Sequence, residues 1–91
     1  MSHTIREKQK LINRVRRIKG QVEGIERMLE GEKGCEEVIQ LIAGVRGAIN
    51  GLMGEVLEDH IRMHIAAEGL AQNNRDEGAS ELIDVIRAYL K

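Results

Sequence analysis

The chain has 91 residues, a formal net charge of -1 at pH 7, and no proline, phenylalanine or tryptophan. A chain of this length forms one small domain with a thin core, so we expect oligomerisation to add stability. Aromatic residues make up only 1% of the chain, which disfavours a β-sandwich and a single-strand nucleic-acid site built from stacked rings. The abundance of Leu, Ile, Glu, Arg and Ala favours an all-α protein.

The charge is unevenly distributed along the chain. Residues 1–20 contain seven basic residues and one acidic residue, whereas residues 21–91 contain seven basic and fourteen acidic residues. A basic segment on an acidic body favours an anionic partner for one surface, and a solvated helix face is the alternative. The single cysteine, Cys35, allows no internal disulfide, and no apolar stretch is long enough to cross a membrane. With no apolar leader at the N-terminus, we expect a cytoplasmic protein with a reduced thiol.

The first helix is predicted from about residue 5 to residue 30. Thr4 and Glu7 have the spacing of a capping box, in which each side chain binds a free backbone N–H group. Gly31 and Gly34 are expected to end the helix. Apolar residues recur at steps of four and three, which is the spacing of a heptad stripe: Leu11, Val15, Ile18, Val22, Ile25 and Leu29.

The second helix is predicted from about residue 35 to residue 67. One apolar stripe of this helix consists of Leu41, Val45, Ala48, Leu52 and Val56. A second stripe beside it consists of Ile42, Ile49, Met53, His60 and His64. A third stripe consists of glycines: Gly44, Gly47, Gly51 and Gly54. Each glycine inside a helix costs about 1 kcal/mol relative to alanine. Close approach of another helix is the usual compensation, so the glycines predict a helix–helix contact.

The polar residues 68–78 are predicted to form a loop, because they include two adjacent asparagines and two glycines. A third, short helix is predicted from about residue 79 to residue 90, with Leu82, Ile86 and Tyr89 on one apolar face. The chain contains no repeat and no linker. We therefore expect residues 1–91 to form a single helical domain.

Three side chains are suited to a borderline-soft metal ion: Cys35, His60 and His64. The two histidines are four residues apart, so both imidazole rings leave the helix in the same direction. A thiolate with imidazoles suits zinc, nickel, cobalt or copper. A histidine pair at this spacing also arises by chance on helix surfaces.

The positions of these residues favour a site shared by two chains. Cys35 and His60 are separated by 25 residues of one predicted helix, which is about 37 Å. Unless the helix is broken, they can hold one ion only if a second copy packs antiparallel, with the two-fold axis near residue 48 or 49. The glycine stripe is centred at residue 49, so both features predict an antiparallel homodimer with two symmetric sites. His3 is a candidate fourth ligand, or a terminal histidine without a role. A cysteine with two histidines could also form a nucleophile–base pair, but three small helices offer little room for a cleft, so we expect no enzyme.

The first helix also carries a candidate surface for double-stranded DNA. Arg6, Lys10, Arg14 and Arg17 form a stripe on one flank, with Lys19 on the other flank and Arg16 on the outer face. Such a surface contacts phosphates independently of sequence and is sensitive to salt. No helix-turn-helix, zinc-finger or basic-zipper pattern is present. Arg46, in the second helix, could extend this basic face or pair with an acidic residue.

Two segments resemble the signatures of the CsoR/RcnR family of bacterial transcriptional repressors. They are RVRRIKGQVEG from Arg14 to Gly24 and VRGAINGLM from Val45 to Met53, and the ending RAYLK also matches. The resemblance implies an all-helical dimer that pairs into a flat tetramer. It also implies binding to operator DNA without ligand, and release when a metal ion or an electrophile occupies a site between subunits.

The resemblance also favours one branch of the family. Copper and persulfide sensors carry a second cysteine, which this chain lacks, and formaldehyde sensors carry proline at position 2 and usually glutamate at position 64. The set His3, Cys35, His60 and His64 resembles the nickel- and cobalt-responsive branch, although Gly34 stands where that branch often has an acidic residue. Four such ligands would also suit tetrahedral zinc. The first alternative is a formaldehyde-responsive repressor that uses Cys35 and the N-terminal amine. The second is a metal-buffering helical protein without a DNA role.

Overall fold

The computed structural model describes residues 5–90, with side chains from residue 7. Over this range the chain forms three helices and no strand: α1 is Ile5–Glu30, α2 is Cys35–His64 and α3 is Gln72–Tyr89. The predicted all-α, three-helix class is therefore confirmed, whereas Thr4 of the predicted capping box lies outside the described residues. None of these helices is both long and apolar enough to span a membrane.

The described chain divides into two compact units, one ending at Met53 and the other beginning at Gly54. In the first unit, α1 packs against α2, and an added Cβ at Gly24 would lie 3.5 Å from Leu41. The buried hydrophobic residues are Val38 and Val45, both from α2. The apolar stripe of α1 alternates between two sets of positions, and within each set the residues are seven apart. The half-buried set is Leu11, Ile18 and Ile25, and the exposed set is Val15, Val22 and Leu29. Within its own chain, this unit covers only part of its apolar surface.

Helix α1 ends in a Schellman motif, but the left-handed residue is not the predicted glycine. The N–H of Lys33 donates to the carbonyl of Met28 at 3.0 Å, and that of Glu32 donates to Leu29 at 3.2 Å. Glu32 has a φ of 54°, so it takes the position at which glycine is most common. Gly31 precedes it, and an added Cβ there would lie 3.3 Å from the carbonyl oxygen of Arg27.

In the second unit, the end of α2 packs against α3, and the bounds of both helices differ from the predicted ones. Helix α2 ends at His64 rather than near residue 67, and α3 begins at Gln72 rather than near residue 79. Two neighbouring backbone N–H groups, those of Ile65 and Ala66, converge on the carbonyl of Ile61 at 3.0 and 2.7 Å, which closes the helix. Gly69, with a φ of 79°, then reverses the chain.

The predicted loop over residues 68–78 was wrong for its second half because a tertiary contact overrides local propensity. The guanidinium of Arg75 donates to the carbonyls of Ile65 and Ala67, which lie just beyond the end of α2. Gln72 donates to Asp76 one turn later at 2.8 Å. These contacts stabilise the first turns of α3, although its N-cap residue, Ala71, provides no side-chain cap.

Candidate functional site

The last turns of α2 carry the histidine pair. The rings of His60 and His64 are half-buried, with centroids 5.0 Å apart and planes inclined at 37°. The predicted orientation of the two rings toward the same side is therefore present in the structure. Neighbouring imidazoles are ligands suited to a borderline divalent ion.

The orientation of His60 is set by α3. Its Nε2 lies 2.9 Å from the carbonyl oxygen of Gly78. Because a carbonyl only accepts hydrogen bonds, Nε2 is the donor in this contact, and a neutral ring would then have its lone pair on Nδ1. This is the arrangement of histidines that bind metal ions, whose second nitrogen usually donates to a carbonyl or carboxylate.

Gly78 is a residue that the sequence interpretation missed. It is buried, and an added Cβ would lie 3.0 Å from the carbonyl carbon of His64 and 3.1 Å from its Cβ, with the carbonyl oxygen closer still. The contact leaves no room for a side chain. One signal was present in the sequence, because Gly78 is four residues before Leu82 and so extends the apolar face of α3 toward its N-terminus.

Cys35 is an exposed free thiol at the first residue of α2, and His64 is the last residue of the same helix. Residues 5–90 contain no group of three or more His, Cys, Asp or Glu side chains placed to hold a metal ion. Of the four predicted ligands, the described chain brings together His60 and His64, and His3 lies outside the described residues.

The predicted DNA-binding residues of α1 fall into different environments. Four of them are exposed along the helix: Lys10, Arg16, Arg17 and Lys19. Arg14 is half-buried, with its guanidinium against Gly51 of α2. The side chain of Arg6 lies outside the described range. These four exposed cations lie on both flanks and on the outer face of α1.

The described chain is thus all-helical, with exposed cations along α1 and a histidine pair at the end of α2. The family model for metal-sensitive transcriptional repressors matches residues 7–88, and the chain belongs to this family. The family consists of transcriptional regulators.

Two relatives match this chain over its full length. The chain is 52% identical to an uncharacterised protein encoded in the bioA 5′ region of Serratia marcescens, over 91 residues and the full length of both chains. It is 44% identical, again over the full length of both, to the transcriptional repressor RcnR of Salmonella arizonae.

Two solved structures resemble this fold. The first is a glutamate-to-histidine variant of the formaldehyde-responsive regulator FrmR from Salmonella enterica serovar Typhimurium, with a TM-score of 0.88 and 41% identity; the match covers 97% of this chain and 99% of that one. The second is the copper-sensing repressor CsoR with Cu(I) from Geobacillus thermodenitrificans, with a TM-score of 0.90 and 26% identity, covering 100% of this chain and 94% of that one. The resemblance to the CsoR/RcnR family is thereby confirmed.

Proposed function

We propose that this repressor responds to nickel or cobalt, with zinc as the alternative ion: it binds operator DNA when metal-free and leaves it when the ion binds. The observation that carries the proposal is the His60–His64 pair, whose rings are 5.0 Å apart on one side of α2. The full-length similarity to RcnR, at 44% identity, supports the nickel and cobalt branch. The absence of a second cysteine disfavours the thiolate-rich sites that suit Cu(I).

The donor set fits such an ion. His60 would bind through Nδ1, because its Nε2–H group is engaged by Gly78, and His64 would supply a second nitrogen. Cys35 of a second copy would supply a thiolate, and His3 is the proposed fourth ligand. With ligands from both copies, a bound ion would link the α2 helices of two protomers.

A second copy is also favoured by the apolar surface that each chain leaves uncovered. Leu29 of α1 and Ile39 of α2 are 62% and 63% exposed, although both are large aliphatic residues. Within residues 7–90 no large side chain is fully buried. Burying apolar surface stabilises at about 25 cal/mol per Å², so pairing of these faces would supply the core that one chain lacks. We propose the antiparallel homodimer, and its pairing into a flat tetramer, on this basis.

The exposed cations of α1 are the proposed DNA contacts. Lys10, Arg16, Arg17 and Lys19, together with Arg6 and Arg14, would bind the phosphates of double-stranded DNA in the cytoplasm. Linking two α2 helices would change the spacing of these basic faces and so misalign them with the DNA. Such coupling needs about 1–3 kcal/mol between the two sites.

Anaerobic cobalt(II) titration tests the metal site. We expect a thiolate-to-cobalt charge-transfer band that is absent in Cys35→Ala and retained in Glu36→Gln, a matched exposed neighbour in the first turn of α2. His64→Ala should weaken cobalt binding by more than roughly tenfold, because even the outer partners of ligands contribute 10–100-fold. A band that persists unchanged in Cys35→Ala would refute the proposed ligand set.

A formaldehyde-responsive repressor is the second candidate, favoured by the exposed thiol of Cys35 and by the similarity to FrmR. The thiol would add to formaldehyde to give an S-hydroxymethyl group. The N-terminal amine would then displace its hydroxyl group as water, leaving an S–CH2–N bridge. Adding nickel and formaldehyde separately to the repressor–DNA complex distinguishes the two candidates. Release by formaldehyde alone, in a protein without a tight metal site, would favour this second candidate.

A further inference from the structure

The space beside one glycine of the α2 stripe is occupied by a side chain of the same chain. An added Cβ at Gly51 would lie 3.2 Å from Cζ and 3.8 Å from Nε of Arg14, and closer still to one terminal nitrogen of that guanidinium. At Gly44, Gly47 and Gly54 an added Cβ would have no neighbour within 4 Å in the described chain. The guanidinium of Arg14 therefore rests in the space left by the missing side chain of Gly51.

This contact distinguishes Arg14 from the other basic residues of α1. Arg14 is half-buried, whereas Arg16 and Arg17, on the following turn, are exposed. A guanidinium held against a helix backbone samples fewer orientations than one in solvent. Because ordering a long side chain opposes binding, a guanidinium that is already ordered loses less entropy when it contacts a phosphate.

We infer that Gly51 is a positioning residue for DNA binding, which acts by seating the guanidinium of Arg14 against α2. The inference rests on the proposed function, since it requires Arg14 to contact DNA. The same contact also compensates, within one chain, for the low helix propensity of Gly51. Alanine at this position would displace the guanidinium rather than the backbone, because the atoms that it meets are the far end of a flexible side chain.

Gly51→Ala separates the effect on DNA from the effect on folding. Alanine is the better helix former, so the melting temperature should rise by roughly 4 °C rather than fall. Operator affinity should fall by roughly three- to tenfold, and the slope of log K against log salt should become shallower by about 1 for each phosphate that the variant no longer binds. The probe is a duplex selected by the metal-free protein from a randomised pool. Asn50→Ala, at an exposed neighbouring position of the same helix, should leave the salt slope unchanged.

A double-mutant cycle with Arg14→Gln identifies the route of the effect. We expect Gly51→Ala to weaken operator binding in the wild-type background and to cause no further weakening in the Arg14→Gln background. The cobalt spectrum should be the same in all four proteins, which excludes an effect through the metal site. Equal weakening in both backgrounds, or an effect of Asn50→Ala as large as that of Gly51→Ala, would overturn the inference alone. Unchanged DNA binding in Arg14→Gln would overturn it together with the proposed role of Arg14, and failure of the wild-type protein to bind any duplex would overturn the proposed function itself.

Discussion

Replacing Gly78 by alanine should destabilise the repressor and weaken the proposed metal site together. The new Cβ would meet the backbone of His64 at 3.0 Å from its carbonyl carbon, with the oxygen nearer. Backbone atoms of a helix end cannot move aside as a flexible side chain can, and overpacking of this kind costs about 1–3 kcal/mol. The higher helix propensity of alanine offsets about 1 kcal/mol of that.

Because the new Cβ meets backbone, the upper end of that range applies, and the net destabilisation is about 2 kcal/mol; each kcal/mol lowers the melting temperature by roughly 4–8 °C in a domain of this size. Moving α3 away from α2 would also stretch the hydrogen bond of 2.9 Å that orients His60. Removal of such an outer partner typically lowers metal affinity by 10–100-fold, so we expect a fall of at least about tenfold.

Thermal unfolding followed by circular dichroism, and cobalt titration at a temperature well below the transition, measure the two effects. Ser80→Ala is the matched control, because Ser80 is exposed on the same helix, and it should alter neither quantity. An unchanged melting temperature in Gly78→Ala would refute the steric reasoning. A lower melting temperature with unchanged cobalt affinity would show that the carbonyl of Gly78 does not tune His60.

Three further predictions concern stability, measured by urea unfolding. Arg75→Met should lower the free energy of unfolding by about 1–3 kcal/mol, because two backbone carbonyls lose a charged donor. Arg87→Met, at an exposed arginine of the same helix, should change it little, and equal decreases would contradict the stabilising role of the Arg75 contacts. Glu32→Gly should raise the free energy of unfolding by roughly 1 kcal/mol, because glycine adopts the left-handed backbone at φ 54° without strain. A lower free energy of unfolding would show that the side chain of Glu32 compensates for that conformation. Glu58→Gln breaks an ion pair with Arg62, in which the side chains of Glu58 and Arg62 are 58% and 72% exposed. A change in the free energy of unfolding above about 0.5 kcal/mol would be inconsistent with a screened surface pair.

The sequence by itself determined the features that depend on local periodicity. The bounds of α1 and the start of α2 agree with the prediction, because apolar spacing and flanking glycines report on neighbours within a few residues. The common direction of His60 and His64 follows from the same 3.6-residue period. The family resemblance also followed from two contiguous segments.

Tertiary structure decided the features that depend on contacts between distant residues. The first turns of α3 resemble a loop in sequence until Gly78 is seen against His64 and Arg75 is seen on the carbonyls after α2. The sequence does not distinguish Arg14 from Lys10 and Arg17 in the same stripe, yet the structure sets Arg14 apart through its contact with a glycine 37 positions away. Local patterns contain no information about which distant backbone will occupy the space beside a side chain, and that packing fixes both the start of α3 and the orientation of Arg14.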